Sequence, residues 1–309
     1  MRVLVGVDGS SNSFAAVAFV GRLLSPDDDE LVLLFAAPAV SFEDERLDPA
    51  VEERARSSFS RAILDAALER LPESWQRRAE PREVVGQPGA ALLTAADDFG
   101  AELIAVGFRG TSSLMEQFML GSVSRTVVHS AKVPVLVVKG GSEADGTVDA
   151  TMTGRPLRIL VAYDTTVPAE ATAAILSGFK WPADTEGFVM TVVRPMFLED
   201  LPDWVKNQPR DPDVAAMAAA WEKEHAANLA AARQELEQFR EKLPACFASG
   251  QVVVAEGRPA EQIVDNVRQL GIELVVLGSH GGGTVRRLLL GSTSEQVLSS
   301  APCSVLIVR

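Results

Sequence analysis

The chain has 309 residues, enough for two ordinary domains rather than one. Hydrophobic residues make up 47% and charged residues 23%, ordinary globular usage that excludes disorder, collagen and a coiled coil as the main architecture. The net charge of -13 is spread over both halves, with 14 basic and 22 acidic side chains in residues 1–145, and this argues against nonspecific binding to nucleic acid or to an anionic membrane. A bound polyanion would therefore be held by backbone amides, helix ends and a few nearby side chains.

Residues 2–8, RVLVGVD, read as a buried strand ending at Asp8. No leader precedes it and no apolar run reaches the roughly 18 residues that cross a bilayer, so a cytoplasmic protein without a membrane partner is expected. Phe14, Val17, Ala18, Gly21 and Leu24 then share one helical face. VVGQPGAALL (84–93) is a strand that stops at Gly-x-Pro, with a helix after the proline. AELIAVGFRG (101–110) is a strand running into a glycine loop, LGSVS (120–124) opens a helix, and KVPVLVVK (132–139) is a last strand. Residues 141–156, rich in Gly, Ser, Thr and Asp, read as a linker between a first domain, 1–140, and a second, 157–309.

After the linker the same blocks return in the same order: RILVAYD (158–164), VAEGRPAEQI (254–263), IELVVLGSHG (272–281), LGSTS (290–294) and APCSVLIVR (301–309). Ile263, Val267 and Leu270 form the helical face that answers the first half, and about 211–243, with Trp221, Leu229 and Leu236, adds a longer amphipathic helix. The strand runs are nearly continuous in Val, Leu and Ile, as expected when helices cover both faces of a sheet. The expected fold is α/β, two tandem doubly wound open parallel sheets of five strands each.

The chemistry concentrates in GSHGGGTVRRLLLGSTS, residues 278–294, and in its counterpart GFRGTSSLMEQFMLGSVS, which starts at Gly107. Gly278 and Gly281 read as places where backbone approaches a ligand closely with positive φ. Gly291, Ser292 and Thr293 read as free amides and hydroxyls at a helix start, which together make a phosphate cradle. Arg109 and His280, each between two loop glycines, read either as donors to phosphate oxygens or as solvated loop side chains. Asp8 and Asp164 are either acceptors for ribose hydroxyls or caps of the following helix. No Gly-Lys-Ser/Thr loop, no GxGxxG after the first strand, no His-Glu-x-x-His and no nucleophile elbow occurs, so no catalytic residue and no metal ligand is nominated. Cys246 and Cys303 read as isolated thiols.

These residues make the chain resemble a tandem universal stress protein of the ATP-binding type. The family signature is Gly, two residues, Gly, nine residues, Gly, then Ser or Thr. Gly278, Gly281, Gly291 and Ser292 match it in full; Gly107, Gly110, Gly121 and Ser122 match except that ten residues separate the second and third glycines. The resemblance implies ATP or a close adenine nucleotide, with Mg2+ beside a triphosphate. Asp8 and Asp164 would meet ribose or adenine, the backbone near Ala36 and Val193 would read adenine, and Val123 holds the place of Thr293. It also implies that the last strands of the two halves meet as a pseudo-twofold pair, with room for a homodimer of such chains. The function implied is a stress-response binding module rather than a turnover enzyme, at most a weak ATPase. An adenylating relative would carry Ser-Gly-Gly-x-Asp-Ser after the first strand, and VDGSSNS lacks the double glycine; a scaffold without nucleotide is the other alternative. The extra residue before Gly121 makes the N-terminal site the weaker expected one: taken up as helix it turns the following residues by about 100°, and absorbed by the loop it leaves the cradle standing with a less favourable loop.

Overall fold

The computed structural model describes residues 1–37, 49–109, 120–140, 156–164, 169–194, 212–279 and 290–309. In chain order the first half runs β1 (Arg2–Val7), α1 (Ser11–Leu23), β2 (Glu30–Ala37), α2 (Pro49–Leu68), β3 (Glu80–Val85), α3 (Pro88–Phe99), β4 (Leu103–Gly107), α4 (Ser122–Ser130) and β5 (Val135–Val138). The second runs β6 (Arg158–Ala162), α5 (Ala169–Ser177), β7 (Glu186–Val193), α6 (Pro212–Arg240), β8 (Val252–Glu256), α7 (Pro259–Leu270), β9 (Leu274–Gly278), α8 (Ser292–Ser300) and β10 (Ser304–Val308).

All ten strands form one sheet in the order β3-β2-β1-β4-β5-β10-β9-β6-β7-β8. Every pairing within a half is parallel, and β5 meets β10 antiparallel, so the two five-stranded halves join edge to edge. At that seam Leu136 faces Leu306, Val135 faces Ile307 and Val137 faces Val305. Leu136 and Leu306 hold the same place in the repeat, so a local pseudo-twofold passes through their pair. Two edges that would otherwise be apolar and unpaired satisfy each other.

The central strands are buried on both faces because alternate side chains point into opposite layers. Leu136, Val138, Leu306 and Val308 belong to the layer that also holds Val17, Phe19, Leu176 and Leu236 from α1, α5 and α6. Val135, Val137, Val305 and Ile307 pack with Leu92, Val127, Ile263 and Val297 from α3, α4, α7 and α8. The expected face of α1 is broader than its spacing suggested: Ala16, Phe19, Val20 and Leu23 are buried together with Val17 and Gly21. The Gly-x-Pro blocks fold as expected, with Gly86 (φ 154°) and Gly257 (φ 128°) at the strand ends and Pro88 and Pro259 opening α3 and α7. The long α6 lies over β7 and β8 and buries Leu236 and Phe239. Among the described residues no helix is long and apolar enough to cross a membrane.

Candidate functional site

In each half the chain leaves the first strand, runs to one edge of its sheet, and returns to place the fourth strand on the other side of the first. The carboxyl ends of β1 and β4, and of β6 and β9, therefore border a topological switch point, the place where open α/β sheets form a crevice. Asp8 and Gly107 lie at the first such point, Asp164 and Gly278 at the second.

The path from strand end to helix start is the same in both halves. Gly121 N donates to the carbonyl oxygen of Phe108 at 2.9 Å, and Gly291 N to that of Ser279 at 2.7 Å. Two residues inside each helix a buried serine bonds back to the strand-end glycine: Ser124 Oγ to Gly107 O at 2.6 Å, Ser294 Oγ to Gly278 O at 2.7 Å. The first helical bonds are Arg125 N to Gly121 O and Glu295 N to Gly291 O, both 2.9 Å. The amides of Ser122 and Val123, and of Ser292 and Thr293, come before that first bond, in the turn whose N–H groups have no helical acceptor. This corrects one expectation, because the amide of Gly291 is already bonded within the fold. It also rejects a 100° rotation of the first half's helix, since Gly121 and Ser124 are fastened as their counterparts are.

The glycines have different reasons. A Cβ on Gly107 would lie 2.7 Å from the backbone carbon of Asn12 and 2.8 Å from Ser13 N, so this glycine lets the start of α1 pack against the end of β4. Gly278 closes strand β9 and has no left-handed backbone, contrary to the expectation of positive φ there. Gly121 (φ -59°) and Gly291 (φ -67°) are extended helix N-caps. Gly110, His280 and Gly281 lie outside the described residues.

Asp8 is half-buried and built into a turn. Its Oδ1 accepts from Ser10 N at 3.0 Å and Ser10 Oγ at 2.6 Å. Ser10, not Asp8, caps α1: its Oγ accepts from Ser13 N at 3.2 Å, and it also lies 3.2 Å from the carbonyl of Arg109, which ties the loops after β1 and β4 together. The Arg109 guanidinium sits 5.5 Å from the Phe108 ring. Asp164 is exposed, after a Tyr163 ring that stacks on Phe239 at 4.0 Å. Ala36 and Val193, named together from the sequence, are not counterparts. Gly86 N bonds Ala37 O and Gly257 N bonds Val193 O, so Ala37 answers Val193, and Ala36 answers Val192.

Residues 1–139 and 207–309 match the universal stress protein family profile. The chain belongs to the universal stress protein family. A universal stress protein of Mycolicibacterium smegmatis is 28% identical over 99% of this chain and 96% of its own length, so the two-domain arrangement is common to both. The solved universal stress protein from Archaeoglobus fulgidus covers 100% of this chain and 96% of its own, with a TM-score of 0.58 at 23% identity, a likeness of fold. A single-domain universal stress protein solved in complex with cAMP is 30% identical over 45% of this chain and 96% of its own, with a TM-score of 0.36. Ser10, Ser124 and Ser294 were not singled out from the sequence of this universal stress protein. The repeated Gly-Ser-x-Ser of LGSVS and LGSTS was the signal that could have found the last two.

Proposed function

We propose that this universal stress protein binds ATP, with Mg2+ at the triphosphate, in the crevices at β6/β9 and β1/β4, and acts as a nucleotide-dependent binding module rather than a turnover enzyme. The observation that carries the reading is the helix start at Gly291-Ser292-Thr293, repeated at Gly121-Ser122-Val123. In both, amides of the first turn that lack a helical acceptor stand beside the end of the strand that borders the crevice. Such a turn suits an anion because the N–H groups and the positive helix end act together. In a chain of net charge -13 a polyanion needs local donors of this kind.

In this reading Ser292 and Thr293, and Ser122 and Val123, hold phosphate through backbone amides, with Arg109 and His280 as further donors. Asp8 and Asp164 accept from ribose hydroxyls. Asp8 Oδ1 is engaged by Ser10, a bond that would hold the carboxylate in one orientation at the crevice. Adenine is read by backbone at the ends of β2 and β7, Ala36–Ala37 and Val192–Val193. The linker 141–156 joins units 1–140 and 157–309. The test is extraction of small molecules from natively purified protein with identification by mass spectrometry, followed by titration with ATP and Mg2+. Recovery of adenine nucleotide and a saturable titration are expected; empty protein that gives no heat with ATP would overturn the reading.

A further inference from the structure

Two cations cross the seam of the sheet. Lys139 follows β5 and Arg309 follows β10, and they hold the same place in the repeat. Lys139 Nζ donates to the carbonyl oxygens of Leu298 at 2.9 Å and Ala301 at 2.5 Å, at the end of α8. Arg309 Nη2 donates to the carbonyl of Val128, the counterpart of Leu298, in the last turn of α4. Last-turn carbonyls lack helical donors and carry the negative end of the helix dipole, so a cation there fastens the helix end and is favoured by it.

The starts of the same helices are fastened from within their own half, by Ser124 to Gly107 and Ser294 to Gly278. Each helix is a rod of nine residues, about 13 Å long. One end is held by its own sheet half and the other by the opposite half. Both side chains are half-buried, so each cation gives up part of its hydration where an apolar side chain of similar length would pack, and cations at both related positions call for a role beyond filling space. Lys139 is 4.1 Å from the Phe108 ring centroid, and its charged or titratable neighbours are Arg109 after β4 and Cys303 before β10.

We propose that Lys139 and Arg309 are positioning residues acting in trans, each fixing the far end of the helix whose start forms the opposite half's nucleotide cradle. The proposal rests on the reading of those helix starts as cradles. It makes the two sites interdependent through the seam, since a shift of one half drags the helix end of the other.

The experiment uses the full chain and two measurements. In the first, Lys139→Met and Arg309→Met are each combined with Gly121→Asp or Gly291→Asp, so that one site at a time is titrated with ATP and Mg2+. Lys139→Met is expected to weaken the C-terminal site about tenfold, the scale of one charge-assisted hydrogen bond, while leaving the N-terminal site within about twofold. Arg309→Met should do the reverse, and Lys139→Arg should restore the C-terminal site. In the second, amide hydrogen exchange without nucleotide should rise in residues 292–300 for Lys139→Met and in 122–130 for Arg309→Met. Equal weakening of both sites, weakening of the cation's own half, or unchanged exchange in the opposite helix would overturn the proposal. If the wild-type chain binds no nucleotide, the site reading fails, and the exchange pattern alone decides the cross-seam hold. If Lys139→Met does not fold, Lys139→Gln, which keeps a donor without charge, carries the same comparison.

Discussion

The two halves of the sheet agree where strand gives way to helix and differ almost everywhere around it. In the first half Asp8 is half-buried in a serine-capped turn, α1 has 13 residues, and the edge strand β3 carries Pro81, Arg82 and Glu83. In the second, Asp164 is exposed, α5 has nine residues, and the edge strand is the apolar VVVAE, over which the 29-residue α6 is laid. Yet Gly107-to-Ser124 and Gly278-to-Ser294 close within 0.1 Å of each other, and a one-residue difference in loop length leaves no trace at the helix start. The repeat constrains the crevice and not the layer around it. A charged, proline-bearing edge needs less cover than an apolar one.

The comparison breaks most completely at the seam. Leu136→Asp would bury a carboxylate beside Leu306 at the pseudo-twofold, with no cation across the pair. A loss of about 4 kcal/mol or more is expected, read as a collapse of the thermal midpoint or as failure to fold. A midpoint near wild type would show that the halves do not depend on the seam.

Lys139 separates the halves by pH. Burial lowers its pKa from 10.5 to about 8, Arg109 adds to the fall and Cys303 opposes it. A lysine whose folded pKa is depressed leaves the folded state binding fewer protons between about pH 8 and 10.5, so stability should rise with pH across that window. The rise is at most about 3 kcal/mol relative to Lys139→Met, and smaller where solvent screens the amine. Urea denaturation of both proteins at pH 7.5 and 9.5 measures it, and a wild-type advantage that falls with pH would contradict it.

Gly107→Ala should cost about 1–3 kcal/mol, because its Cβ would meet the backbone of Asn12 and Ser13 rather than a side chain that can turn aside. The loss should be accompanied by weaker nucleotide binding in the first half and unchanged binding in the second. An unaltered midpoint would mean that α1 can slide away from β4. The smallest effect is expected at His225, whose Nε2 lies 2.7 Å from a Glu256 carboxylate oxygen and ties α6 to β8. Both groups are partly exposed, so His225→Ala should cost less than about 1 kcal/mol, measured by the same denaturation.

Much of this was legible in the sequence because the repeat is internal. RVLVGVD and RILVAYD, or LGSVS and LGSTS, report the same local structure twice, and the pairing of VPVLVV with SVLIV follows from edges too apolar to leave open. What was not legible depended on register and three-dimensional closure. Ala37 rather than Ala36 answers Val193 because a strand offset of one residue has no signature in two apolar runs. Ser10 rather than Asp8 caps α1 because either side chain could reach the first turn. The packing role of Gly107 was hidden because Asn12, which a Cβ there would meet, lies about 95 residues away in sequence. The cross-seam bonds of Lys139 and Arg309 join positions more than 150 residues apart, beyond any local pattern.

Equivalence of the two proposed nucleotide cradles is expected from the matching helix starts. Its most direct test is calorimetric titration of ATP with Mg2+ into the wild-type chain, Gly121→Asp, Gly291→Asp and the double variant. Two bound nucleotides are expected for wild type, one for each single variant and none for the double, with the two surviving sites within about tenfold in affinity because the helix starts are fastened alike. One nucleotide on wild type, lost entirely in Gly291→Asp and untouched in Gly121→Asp, would show that the extra residue disables the first half. Two nucleotides on the double variant would show that neither helix start is the site.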